Sequence, residues 1–274
     1  MSRLFAAALV AATAIALAFL ALPLAALFLH TSPATLADQL GNPVVRDALL
    51  VSLKTSAIAH ALVLVLGTPA AYLIARNRFT GRSLVLALTE LPLVLPPAVA
   101  GIALLAAFGR LGLLGGTLGG LGLSIPFTQT AVVLAVAFVE APFYLRGGIA
   151  AFEGLDQGLL DAARTLGAGP GRVFVRVALP LALGGLGASS ALALARGLGE
   201  FGATIVFAGS LQGVTQTLPL AIYSEFDRNF DVALAIGALF VVVGAALLLA
   251  LKLVPAWTRF ASTSLSRSAP SASS

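Results

Sequence analysis

Uncharged apolar stretches recur along this chain, and their lengths decide what they can be. Residues 4–29, 57–75 and 232–251 carry no Asp, Glu, Lys or Arg. Residues 91–108 are equally apolar but interrupted by Pro92, Pro96 and Pro97; residues 128–145 are apolar except for Glu140; residues 181–211 form a longer run holding Arg196 and Glu200. About 18 or more apolar residues are enough for a helix to cross a bilayer. The pattern therefore predicts six transmembrane helices and an all-α, polytopic membrane fold. The first run follows Met1-Ser2-Arg3, as the core of a secretory signal does, but its 26 residues exceed the usual signal core of about 7 to 15. A retained span is the preferred reading and a cleaved signal the other.

Composition agrees. The chain has 274 residues, of which 59% are hydrophobic and only 10% charged, with a mean hydropathy of +1.03. Soluble domains carry about a quarter charged residues, so this is an integral membrane protein. The net charge of +5 is not gathered into a run that could track phosphates, which argues against nucleic acid. Its distribution is informative in another way. With the N-terminus inside, eleven Lys and Arg fall in inner connections and four (Arg46, Lys54, Arg110, Arg228) in outer ones, so both termini are expected on the cytoplasmic side. With no cysteine and two isolated histidines, His30 and His60, the chain offers no disulfide, thiolate nucleophile or convincing metal site.

That orientation puts the most polar stretch, "DAARTLGAGPGRVFVRVALP" (residues 161–180), in the largest inner connection. Asp156 is placed to cap a short helix whose apolar face is expected from Leu159, Ala163 and Leu166, and Gly167 falls where a helix ends in a left-handed residue. After Gly169-Pro170-Gly171 the chain restarts, and Val173, Val175 and Val177 lead to Leu179-Pro180 ahead of the fifth span. Two readings fit: a solvated loop whose arginines meet lipid headgroups, or a docking element. In the second, Ala162 and Ala163 allow close approach while Arg164, Arg172 and Arg176 steer an acidic partner.

Inside the spans, Pro96-Pro97 removes two backbone donors and predicts a break facing a bundle interior or a pathway. Arg196 and Glu200 stand at i and i+4, able to pair, and neither is expected to face acyl chains. A buried structural ion pair is the first reading and a gate on an anion path the second. Gly197, Gly199 and Gly202 around them read as a close-packing face or a hinge. Glu90 is expected at the interface, Glu140 hydrogen-bonded within the bundle, and residues 109–126 as a Gly- and Leu-rich outer loop.

The residues also carry a family resemblance. Asp161-Ala162-Ala163, Gly167 and Val177-Ala178-Leu179-Pro180 have the spacing of the EAA motif of ABC-importer permeases, with Asp where that motif usually begins with Glu. "LPLVLPPAVAGIALL" (91–105), "ARGLGEFGATIVFAGS" (195–210) and "TQTLPLAIY" (215–223) are similar to permease subunits of molybdate importers, and less fully to the sulfate and tungstate branch. The resemblance implies a type I ABC permease (MetI-like) core over residues 47–251, preceded by a first helix and outer loop (1–46) and followed by a cytoplasmic tail (252–274), whose Ser- and Ala-rich residues 261–274 are expected to be disordered. It implies an ATPase-coupling loop at about residues 146–180, with Asp161, Ala162, Ala163, Arg164, Gly167, Leu179 and Pro180 at its contacts. For a pathway or gate it offers Pro96, Pro97, Arg196, Glu200, Thr204, Thr215, Gln216 and Thr217. The implied partners are cytoplasmic ABC ATPase subunits that bind ATP and Mg, an extracytoplasmic binding protein, a second copy of the chain, and the lipid of a prokaryotic inner membrane. No cofactor is expected in the chain itself. A Walker A lysine, a nucleophile elbow and HExxH are all missing, so no enzyme is expected. The implied cargo is an oxyanion, molybdate first and sulfate or tungstate as alternatives. An ion-coupled secondary transporter is the rival class, against which no inverted repeat is visible.

Overall fold

The computed structural model describes residues 3–30 and 32–266, and among them every regular element is helical. Helix α1 (Arg3–His30) has no buried residue and is apolar all round, suited to lipid. A short α2 (Pro33–Gln39) leads to α3 (Pro43–Arg76), which starts well before residue 57. Asn42 caps it, its Oδ1 accepting from Val44 N at 3.0 Å, and Pro43 holds the first helical position. Counting uncharged residues missed this end because Arg46, Asp47 and Lys54 ride on the helix; Lys54 Nζ donates to Gln129 Oε1 at 2.7 Å.

The third run divides into α4 (Arg82–Val94) and α5 (Pro97–Phe108), bent by 117° at the Pro96-Pro97 step. The break is therefore a sharp turn rather than a kink, and α4 begins before residue 91. Among the described residues five helices are long and apolar enough to cross a membrane, and the bent pair makes a sixth if counted as one span. The connection after α5 carries a six-residue helix α6 (Gly115–Gly120). Helix α7 (Gln129–Glu153) is capped by Thr128 and continues past residue 145, taking Arg146 with it, 3.9 Å from Glu90 on α4.

A nine-residue α8 (Gln157–Thr165) follows, and then α9 (Pro170–Val173), a π-helical turn over Phe174–Ala178, and α10 (Leu179–Leu198) as one continuous span. This corrects the fifth span at both ends. It begins at Pro170, so Arg172 and Arg176 lie on its exposed first turns and Leu179-Pro180 lie within it. It stops at Leu198, because the apolar run beyond contains the Gly199–Phe201 break and resumes as the separate α11 (Gly202–Ala208). The chain closes with α12 (Leu218–Phe226) and α13 (Phe230–Ser266). Helix α13 runs beyond residue 251 and into the stretch expected to be disordered; Arg267 and the rest of the tail to Ser274 lie outside the described residues.

The core is α7 packed between α3 and α10. Glycines let these helices close: a Cβ at Gly67 would fall 2.8 Å from the Tyr144 ring, one at Gly147 would fall 2.4 Å from Ser189 Cβ, and one at Gly185 would fall 2.6 Å from Ala151 Cβ. Small residues replace hydrophobic driving force when the surroundings are themselves apolar. Near the α8 end, Tyr72, Phe152 and Phe174 join α3, α7 and the π turn in an aromatic cluster with ring centroids 4.7 to 6.3 Å apart.

Candidate functional site

Two of the sequence-predicted groups are the same place in the fold. The break after α10 abuts the break before α5: a Cβ on Gly202 would fall 2.5 Å from Pro97 Cβ, and one on Gly101 would fall 2.7 Å from Val206 Cβ and 2.8 Å from the Ala203 carbonyl. Helices α5 and α11 thus pack backbone to backbone. Pro96 and Pro97 are otherwise exposed on the single chain, and the Pro96 carbonyl accepts from Val99 and Ala100 N–H at 2.9 and 3.1 Å.

Arg196 and Glu200 do pair, Nη1 to Oε2 at 2.8 Å. Their environments differ, with side chains 33% and 1% exposed respectively. Glu200 Oε1 also accepts from Ala203 N at 2.7 Å, so this carboxylate ends α10 and starts α11 while holding the arginine. Gly197 packs against the Glu140 carboxyl, and its carbonyl accepts from Glu200 N at 3.0 Å. Gly199 lies in the break, where an added Cβ would meet nothing nearer than the Ala195 and Arg196 carbonyls at 3.9 and 4.0 Å.

Thr204, Thr215, Gln216 and Thr217 are all buried. Thr215 Oγ1 accepts from Leu211 N at 3.0 Å, and Gln216 Nε2 donates to Ser210 Oγ and Ser224 Oγ at 3.3 and 2.9 Å, folding the α11–α12 connection onto itself. Gln216 opens on a polar cavity of about 490 Å³ that also reaches Ser210, Ser224 and Arg228. Gln216 Oε1, Thr204 Oγ1 and Thr217 Oγ1 have no protein partner.

The second group, the α8 elbow, stands apart from these. Asp156 caps α8 as expected, Oδ1 accepting from Gly158 N at 2.8 Å. Gly167 adopts φ +83°, and Ala168 N bonds to Ala163 O while Gly167 N bonds to Arg164 O, a Schellman ending. The apolar face differs from the expected one. Leu160 is the side chain fully buried beneath the helix, whereas Leu159 and Leu166 are 50% and 88% exposed, alongside exposed Asp161, Ala162 and Arg164. Arg76 at the end of α3 seats the elbow, donating to Gln157 Oε1 at 3.0 Å, and Asp161 receives Arg164 Nη1 at 2.8 Å.

Sequence reading missed one constellation. Glu140 is hydrogen-bonded within the bundle as expected, but its partner is His60, Nδ1 to Oε2 at 3.0 Å, and His60 Nε2 lies 2.9 Å from Ser190 Oγ. Residues 80 and 130 positions apart leave no local signal of such a meeting. An isolated histidine and a glutamate, each in an otherwise uncharged run, were the only hints. Among the described residues no cluster could hold a metal ion.

Residues 64–260 match the family model for the binding-protein-dependent transport system inner membrane component. The molybdenum transport system permease protein ModB of Mycobacterium tuberculosis is 47% identical over 233 residues, covering 84% of this chain and 88% of that protein. ModB of Escherichia coli K12 is 44% identical over 179 residues, covering 65% and 78%. The probable transport system permease protein NifC of Clostridium pasteurianum is 33% identical over 255 residues, covering 92% and 89%. In fold, the chain is similar to a subunit of the bacterial alginate ABC transporter solved with an alginate pentasaccharide-bound periplasmic protein, with TM-score 0.72 at 17% identity over 90% and 92% of the chains. It is also similar to a chain of the MetNI methionine transporter, with TM-score 0.59 at 20% identity over 76% and 96%.

Proposed function

The chain belongs to the binding-protein-dependent transport system inner membrane component family, and on that premise we propose that it is the membrane-spanning permease of an ATP-driven molybdate importer. The observation that carries the cargo is the 47% identity, over 84% of the chain, to a protein named as a molybdenum permease. Sulfate and tungstate have weaker support, since the named cargo of the similar permeases is molybdenum.

In this reading the α8 elbow is the seat of a cytoplasmic ATPase, which binds ATP and Mg and does the hydrolysis. Leu159 and Leu166 are the apolar side chains left free for it, and the Gly167 stop fixes their direction. An external binding protein delivers the anion, and a second copy of the chain covers the exposed Pro96-Pro97 face, so that two elbows engage two ATPases. Both termini lie on the ATPase side, in accord with the Lys and Arg distribution. The paired breaks at Pro96-Pro97 and Gly199–Phe201 flank the path. Glu200 is held by bonds inside its own chain, so Arg196, with a third of its side chain exposed, is the member of the pair free to feel a passing anion.

Uptake of labelled molybdate by cells lacking this chain tests the reading. Uptake should be lost, return when the chain is supplied with its ATPase and binding protein, and resist excess sulfate. Uptake that persists without the ATPase, or that sulfate suppresses as well as molybdate does, overturns it.

A further inference from the structure

The meeting of His60, Glu140 and Ser190 has no part in the transport reading so far. The three side chains come from α3, α7 and α10, and the residues are 9%, 0% and 6% exposed. Glu140 lies near the middle of α7, where a lone charged side chain is costly. Stability alone does not call for this chemistry, because apolar residues of similar volume replace buried polar pairs at little or no cost.

Its position is more telling. Helices α7 and α10 are the two arms that the α8 elbow joins. Between elbow and network they touch at Gly185–Ala151 and Gly147–Ser189, where no added Cβ fits. One step deeper, the Glu140 carboxyl lies directly against Gly197, whose carbonyl holds the Glu200 N–H at the break. Glu140 Oε1 is buried there without a partner. An oxygen so placed adds cost rather than stability to the bundle.

We infer that His60, Glu140 and Ser190 are positioning residues for transport, tying α3, α7 and α10 into one body so that displacement of the elbow reaches the Gly199–Phe201 break. Without the tie, α10 slides on α7 and the motion is lost before the break. This inference rests on the permease reading above.

The test uses the whole complex, the chain with its ATPase and binding protein in liposomes, and reads molybdate moved per ATP hydrolysed, with assembly followed by co-purification. His60→Ala should lower that ratio by about fivefold or more, the lower end of coupling between separate sites. Ser190→Ala should lower it by about twofold, and Glu140→Gln, which keeps a donor and an acceptor for His60, should stay within about twofold of the unaltered chain. An unchanged ratio in an assembled His60→Ala complex overturns the inference. Should His60→Ala fail to assemble, Ser190→Ala decides: an unchanged ratio there assigns the network to folding alone and also overturns it. An unaltered complex that hydrolyses ATP but moves no molybdate sinks the cargo reading instead. The same variants are then judged by whether ATP hydrolysis still responds to the binding protein, loss of response supporting the tie and full response overturning it.

Discussion

The α8 elbow and the paired breaks are both interruptions of helix, yet they are held in opposite ways. The elbow is built from local bonds on an exposed surface: an Asp156 cap, a Schellman ending at Gly167, and an Asp161–Arg164 pair three residues apart. The breaks are built from contacts between segments distant in sequence, with glycine backbone pressed on Pro97 and Val206 and a buried carboxylate shared by two helices and an arginine. Local bonds fix a shape that still presents itself to a partner. Distant contacts fix the bundle. Damage to the elbow should therefore appear in association, and damage to the breaks in stability.

The sharpest challenge to that contrast is Gly101→Leu, which drives a side chain into α11 and should cost about 3 kcal/mol by overpacking. The unfolding transition of the purified chain in detergent should fall accordingly, and an unmoved transition would show that close approach of α5 and α11 is dispensable. Next, Glu200→Ala strips Arg196 of its partner and Ala203 N–H of its acceptor. A broken buried pair costs about 3 to 5 kcal/mol, but Arg196 is partly solvated, so about 2 kcal/mol is expected, with transport lost and the ATPase still bound in a pull-down. Gly167→Ala meets no atom within 4 Å but keeps φ +83°, worth about 1 to 2 kcal/mol of local strain. ATPase co-purification should drop while the unfolding transition barely moves, and the reverse result would break the contrast. Smallest, Asp156→Ala removes one exposed cap at about 0.5 to 1 kcal/mol and should weaken ATPase association only slightly, measured the same way.

The same contrast explains what could be read from sequence. Asp156 and Gly167 act on neighbours within a few residues, so their roles were visible in the string. Six apolar segments were visible as well, since length and charge are local properties. The faces were not: Leu160 rather than Leu159 is buried, because α8 is seated by Arg76, more than 80 positions away. Nor was the end of the fifth span at Leu198, since an unbroken apolar run looks the same whether it is one helix or two. Only Glu200 turning back to Ala203 N–H, and Pro97 filling the space at Gly202, make the difference. His60 stands alone in its own run for the same reason, its two partners lying on other helices.

The packing of α5 on α11 has an electrostatic consequence. Pro97 meets Gly202 at one end and Phe108 lies 6.3 Å from Phe207 at the other, so the two half-helices run parallel and start at the same depth. Aligned peptide dipoles leave roughly half a positive charge at a helix start, less for helices as short as these, and the α11 start stands beside the Arg196 guanidinium at the Glu200 carboxylate. That carboxylate is the counter-charge common to both. Replacing Arg196 by a neutral residue would thus leave the acid still needed by the α11 start, whereas neutralising the acid would leave a dipole and an arginine repelling one another at the break.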